Sequence, residues 1–381
     1  MSNSVANFLK SLKKQPLQLR NQIRISCGNE SADLDSVASA ISYAYLEHIW
    51  ANSNPSEAII PIINIPQSDL ILRKDIILSL NRLNISVEDL FFREDLISFK
   101  KTNSNCIVNA ILLDHNEIPK HTAPYIDNVV GIIDHHADSK LYLNANPRII
   151  KVTGSCTSLI FKYWYEKIQP STRPLLKNVA PLCLSAAVQD TANFKRKIEE
   201  ADLEVAPIYR DLLPELQFDL FYNDLNEAKV DIKGLSTIDI LRKDYKEFAF
   251  PDGKGDDLIV GIASVVKNLD WLYVNTNESQ SKELFIKDCQ QYLIDKKLTF
   301  LMIMANNRDP KKFERQIAFI FDKKMVGNIV DKVIRDVAEY LDLKPFDDSN
   351  TKDSYISFHQ LNVKASRKQV APAIKQAISK I

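Results

Sequence analysis

The chain has 381 residues, long enough for two domains with separate cores. Lysine plus arginine and aspartate plus glutamate number 49 each, so no long-range field draws the molecule toward nucleic acid or a membrane, and any polyanion must be met by a local patch. The five cysteines, Cys27, Cys106, Cys156, Cys183 and Cys289, are odd in number and never in Cys-x-x-Cys spacing, which excludes a disulfide framework and a zinc knuckle and leaves reduced thiols in a cytoplasmic protein.

No run reaches the ~18 apolar residues of a membrane helix. The first stretch carries Lys10, Lys13, Lys14, Arg20 and Arg24 with no acid before Glu30, a composition shared with mitochondrial transit peptides. Pro16 interrupts it, so a mitochondrial address is the lesser expectation.

Apolar runs at 23–27, 58–65, 107–113, 128–133 and 148–152 predict strands, and helical spacing at 35–50, 68–83, 156–168 and 174–189 predicts helices. This alternation implies a mainly parallel sheet with helices on both faces. A charged helical stretch after Phe194 leads into Asn223–Lys233, rich in Asp, Asn, Glu and Lys, which is expected to be a linker. The domains are therefore expected at 1–222 and 234–381, the second a smaller α/β domain. Within it helices are expected at 236–248, 279–296, 326–343 and 366–380, strands at 258–265, 299–304, 317–321 and 355–363, and a surface turn at Pro251–Gly255.

Ligands on parallel sheets gather at the carboxyl ends of the strands. Four acidic segments follow apolar runs there: Asn29 to Asp35, Asp114-His115-Asn116, Asp134-His135-His136, and Asp190-Thr191. Asp33 and Asp35 precede a helix, where an N-cap role competes with a ligand role. Asp190 closes a helix, at the unfavourable end of its dipole, and calls for a compensating cation. Oxygen-rich ligands with one imidazole favour Mg²⁺ or Mn²⁺ over structural zinc. Thr153 to Ser158 offers small residues and free N–H groups at a helix start, suited equally to an anion or to a plain capping turn. Arg367 and Lys368 sit at the positive end of the closing helix, which is awkward unless an anion binds there.

These motifs resemble the DHH phosphoesterase superfamily, named for the tripeptide seen here as Asp134-His135-His136. The segments Gly28 to Ser36, Leu113 to Asn116, Ile133 to His136 and Gln189 to Thr191 match its four N-terminal motifs in order. Asp239 to Lys246 and Ser366 to Pro372 resemble the C-terminal domain shared by family II inorganic pyrophosphatases and fungal exopolyphosphatases. The fungal cytosolic exopolyphosphatases, which release terminal phosphate from inorganic polyphosphate, are the best match. Pyrophosphatases of this kind carry histidine where this chain has Asn29.

The resemblance implies a two-metal phosphoanhydride hydrolase with its active site in a cleft between the domains. It implies that Asp35, Asp114, His135 and Asp190 hold one cation, and that Asp33, Asp114 and Asp190, with Asn29 nearby, hold the other. Mg²⁺ or Mn²⁺ is expected, with Co²⁺ as a substitute. Asp114, Asp190 and His136 are the implied catalytic residues, and His136, Ser155, Lys246, Arg367 and Lys368 the implied substrate contacts. Polyphosphate is the expected partner, with no nucleic acid or membrane, for a monomer. A pyrophosphatase and a Prune-type regulatory protein are the rival readings.

Overall fold

Ile107–Leu113 is buried from its second residue to its last, as a strand covered on both faces must be. It lies in the middle of a six-stranded sheet in a chain that divides after Asp231 into two units, Met1–Asp231 and Ile232–Ile381. The structure is a computed structural model that describes residues 4–15, 20–51, 59–252, 257–276, 281–309, 312–346 and 354–381.

The first unit runs α1 (Val5–Lys13), β1 (Gln22–Cys27), α2 (Leu34–Trp50), β2 (Ile60–Ile63), α3 (Lys74–Arg82), β3 (Phe91–Phe92), α4 (Arg93–Thr102), β4 (Ile107–Leu113), β5 (Asn128–Asp134) and β6 (Arg148–Ile150). Four helices complete it: α5 (Cys156–Lys167), α6 (Ala180–Asp190), α7 (Glu200–Leu212) and α8 (Phe218–Val230). The sheet is parallel throughout in the order β3-β2-β1-β4-β5-β6. Strand order therefore reverses between β1 and β4, the switch point where loops on the carboxyl edge diverge and leave a crevice. The loops leaving β1 and β4 carry Asn29–Asp35 and Asp114.

Helix α2 is buried nearly all round, as a helix inside a unit should be, and its Ser39 and Ser42 let α5 and α6 pack close. Helix α1 is part of the same core, through Val5, Phe8, Leu9 and Leu12, so the basic leader contributes a packed amphipathic helix. Among the described residues no helix is long and apolar enough to cross a membrane.

The expected linker is corrected in part. Asn223 to Val230 is the second half of α8, with Leu225 buried in the core and Lys229 Nζ donating to Gln189 Oε1 at 2.7 Å. Its charges form a solvated helix face, which resembles a linker in composition alone.

The second unit runs α9 (Thr237–Lys243), β7 (Tyr245–Pro251), β8 (Asp257–Val265), α10 (Leu269–Asn275), α11 (Lys282–Asp295), β9 (Phe300–Asp309) and β10 (Lys312–Phe321). It continues with α12 (Lys323–Leu341), β11 (Leu343–Pro345), β12 (Tyr355–Gln360) and α13 (Arg367–Ile378). Its sheet, β11-β12-β10-β9-β8-β7, is antiparallel except between β8 and β9. The helix expected at 236–248 stops at Lys243, because Tyr245, Phe248 and Phe250 favour a strand and β8 pairs with them from Ala263 to Leu258. Residues 253–255 of the expected turn lie outside the described residues.

Candidate metal centre

The loop after β1 begins at Gly28, where a Cβ would lie 2.3 Å from Ser36 Oγ and 2.9 Å from Ser36 O. Only glycine lets the strand end come this close to α2, and Ser36 Oγ uses the approach to accept from Asn29 N at 2.7 Å. Asp33 is the N-cap of α2, its Oδ1 accepting from Ser36 N at 3.1 Å. It remains exposed, and its charge is felt at Asp35, Asp114 and Asp190.

Asp35, in the first turn of α2, is 4 % exposed. Its carboxylate accepts from Ser155 Oγ (2.7 Å), Cys156 N (2.6 Å) and Thr157 N (3.0 Å), so it caps α5 from another element. This overturns the expected substrate role of Ser155, which is fully buried and bonded to Asp35 and Thr157. The helix start that offered itself to an anion already holds a carboxylate.

Asp114 follows β4 with φ 63, a left-handed conformation that a side chain beyond glycine adopts at a cost and that clusters at functional sites. Asn29 Nδ2 steadies it by donating to Asp114 Oδ2 at 2.7 Å and to Asp114 O at 3.2 Å. Asn29 Oδ1 is committed to its own loop, accepting from Ser31 N, Ser31 Oγ and Ala32 N at 2.9, 2.7 and 3.1 Å. Asn29 was expected among the metal ligands; its amide instead aims Asp114.

Residues Asp134 to His136 end β5. Asp134 is fully buried and its Oδ1 accepts from His135 N (2.8 Å), His136 N (3.2 Å) and His136 Nδ1 (2.8 Å). Its Oδ2 accepts from Asn116 Nδ2, and Asn116 also ties down Ala137 O (2.9 Å) and Ser139 N (2.9 Å). Asp134 and Asn116 were present in the motifs but had no role there; their signal was a polar residue in a segment that otherwise belongs to the core.

His135 Nδ1 lies 3.0 Å from Thr153 O, which can only accept, so Nδ1 carries the proton and the neutral ring presents a lone pair at Nε2. That Nε2 lies 3.1 Å from Asp114 Oδ1 and 3.8 Å from Asp35 Oδ2. Two acceptors at 3.1 Å require a proton or a cation beside them. Burial alone would lower the His135 pKa, but the Asp114 contact and the Asp35 and Asp114 charges outweigh it and raise it to about 10. Burial, then the Asp35 charge, pushes Asp114 up to about 8. Burial, then the charges of Asp35 and Asp33, pushes Asp190 up to about 9, against the pull of Lys229. Asp35 is raised as well, by burial first, with His135 opposing.

Acids that share repulsion and imidazoles that share protons are what a cation site looks like when protons fill it. Asp190 Oδ2, at the end of α6, is buried without a hydrogen-bond partner among the described residues. Asp114, His135 and His136 each offer a ligand atom within 4.8 Å of one another. The residues present therefore fit a divalent cation.

The remaining expected contacts lie in the second unit. Lys246, Arg367 and Lys368 line one cavity of about 490 Å³ together with Asp244, Ser264, Asn306 and Arg315. Lys246 and Lys368 are exposed. Arg367 is not free in the way expected: it donates to Asp244 O (2.7 Å), Asp244 Oδ1 (2.5 Å) and Ile262 O (3.3 Å).

The model of the DHH family N-terminal domain matches residues 23–187, and that of the DHHA2 domain matches residues 223–377. A Schizosaccharomyces pombe protein provisionally named an exopolyphosphatase is 31 % identical, over 93 % of this chain and 90 % of its own length. The mouse exopolyphosphatase PRUNE1 is 26 % identical over 95 % of this chain and 77 % of its own length. A Bacillus pumilus protein provisionally named a manganese-dependent inorganic pyrophosphatase is 27 % identical over 43 % of this chain and 53 % of its own. The chain belongs to the DHH family, with a DHHA2 domain following the DHH domain.

Proposed function

We propose that this protein is an exopolyphosphatase, a metal-dependent hydrolase that cleaves the terminal phosphoanhydride bond of inorganic polyphosphate and releases orthophosphate. The reading is supported by relatives named exopolyphosphatase that align along 93 % and 95 % of the chain, against 43 % and 60 % for relatives named pyrophosphatase. The observation that carries it is the approach of His135 Nε2 to Asp114 Oδ1 at 3.1 Å, together with a buried Asp190 oxygen that has no hydrogen-bond partner among the described residues.

Asp35, Asp114, His135 and Asp190 would hold one cation, and Asp33, Asp114 and Asp190 the other, with Mg²⁺ or Mn²⁺ suited to these oxygen-rich donors and Co²⁺ able to substitute. Such a pair supplies an acidified water and neutralises charge on the phosphoryl oxygens. The protein's own residues set the geometry. Asn29 holds Asp114 in its left-handed turn, and Ser155 with the start of α5 holds Asp35. Asp134 accepts from His136 Nδ1 and so favours the imidazolium form, in which Nε2, on the far side of a half-exposed ring, would donate to an oxygen of the terminal phosphoryl group as charge develops. In the second unit, Lys246 and Lys368 offer cationic groups to phosphate oxygens, and Arg367, anchored on Asp244, shapes that basic cavity.

The test is a substrate panel. Purified protein with Mg²⁺ is given long polyphosphate, tripolyphosphate, pyrophosphate and a nucleoside triphosphate, and phosphate is measured from each. Release chiefly from the long chain supports the proposal. Preference for pyrophosphate would replace it with a pyrophosphatase, and no release from any substrate with a non-catalytic binding protein.

A further inference from the structure

Asp202, the third residue of α7, is fully buried. Its Oδ2 accepts three hydrogen bonds, from Glu199 N at 3.0 Å, Thr153 Oγ1 at 2.9 Å and Gly154 N at 2.7 Å. The first belongs to the capping box of α7 and needs no burial. The other two reach back to the segment that leaves β6. Asp202 Oδ1 is buried with no hydrogen-bond partner among the described residues, a cost that a helix cap at the surface avoids.

What that cost secures is the path of Thr153-Gly154-Ser155. Thr153 offers the carbonyl that takes the His135 Nδ1 proton, and Ser155 offers the hydroxyl that holds Asp35. Gly154 between them has no room to shift. A Cβ there would meet Thr191 Cγ2 at 2.4 Å, Lys197 O at 2.5 Å and Asp202 Oδ2 at 3.0 Å, so the tripeptide is clamped between α7 and the turn that follows Asp190. That turn is itself held in an uncommon shape, with Ala192, Asn193 and Phe194 all left-handed at φ 50, 58 and 56.

We propose that Asp202 is a positioning residue for the metal centre. Through Thr153 and Gly154 it fixes the carbonyl that sets the His135 tautomer and aims Nε2, and through Ser155 it fixes Asp35. The inference rests on the metal-dependent reading above. Partners of this kind, one bond behind the ligands, typically govern metal affinity by about 10- to 100-fold.

The experiment is calorimetric titration of the full-length protein with Mn²⁺ alone. Asp202→Ala is expected to weaken binding about 10- to 100-fold, while Asp202→Asn, which keeps an oxygen acceptor, stays within about threefold of the wild type. Val205→Ala, a core truncation on the same helix, is expected to lower the melting temperature and leave Mn²⁺ affinity unchanged. Wild-type affinity in Asp202→Ala, or an equal loss in Val205→Ala, would overturn the proposal. If Asp202→Ala does not fold, Thr153→Val removes the hydroxyl bond alone; a several-fold weaker Mn²⁺ site supports the role, and unchanged affinity overturns it. A wild type that binds no Mn²⁺ would sink the metal reading and this inference together, whereas a wild type that binds beside an insensitive Asp202→Ala sinks this inference alone.

Discussion

Filling the site with a cation in place of protons has a measurable proton count. Without metal, Asp114 is held at about 8, Asp190 at about 9 and His135 at about 10. His135 Nε2 and Asp114 Oδ1 lie 3.1 Å apart with one proton between them, and Asp190 holds another, both of which a cation must displace. Cation binding at pH 7 should therefore release about two protons, read as the slope of calorimetric enthalpy against buffer ionisation enthalpy for Mn²⁺. The logarithm of the affinity should climb by a similar number per pH unit near neutrality and flatten above about pH 9 to 10. Stability follows with a definite sign. The two carboxyls are raised above the ordinary 3.8, so the folded state binds protons more tightly there, and that stabilisation is lost as pH rises toward 8 and 9. His135, raised above 6.5, contributes stability that is full below that value and lost as pH climbs through about 10. The metal-free protein should thus lose melting temperature between pH 6 and 9, and Mn²⁺ should restore more of it the higher the pH. Release of fewer than one proton at pH 7, or a metal-free melting temperature that rises across this window, would refute the reasoning.

Other consequences follow from single contacts. Asp190→Asn should cut phosphate release by at least about a hundred-fold with an unchanged circular dichroism spectrum; retained activity would reject the shared-ligand role. Asn29→His should bind Mn²⁺ or Co²⁺ more tightly by calorimetry, yet melt lower, because Ser31 and Ala32 lose the oxygen that organises their loop. An unchanged affinity would mean that the new ring points elsewhere. Arg367→Ala, which frees Asp244 inside the basic cavity, should raise KM for polyphosphate by about tenfold with a smaller change in kcat; steady-state kinetics unchanged in both would remove it from substrate handling.

The acidic edge of the first sheet was legible because a parallel sheet leaves its chemistry at the carboxyl ends of apolar strands, which points to Asp35, Asp114 and His135, while Asp190 was singled out by its place at the unfavourable end of a helix dipole. Residues whose roles changed were those whose partners are far away in the chain. Ser155 is bonded to Asp35 120 residues earlier, Asn29 to Asp114 85 residues later, and Arg367 to Asp244 123 residues earlier. Residue type alone left each of them equally suited to a ligand and to a neighbouring side chain. The end of α9 was missed for a related reason: Tyr245 to Phe248 carries a spacing compatible with a helix, and the choice of strand was made by β8, which pairs with it. Helix α8 hid behind its charged face, and its packed side shows in Phe218, Phe221 and Leu225.

Anomalous diffraction from crystals grown with Mn²⁺ tests the central claim most directly, since it locates the cation without reference to turnover. Two peaks are expected at the carboxyl edge of β1, β4 and β5, both in contact with Asp114 and Asp190 and one of them with His135 Nε2. Density elsewhere, or a His135 Nε2 bonded only to Asp114 in the presence of saturating Mn²⁺, would contradict the account.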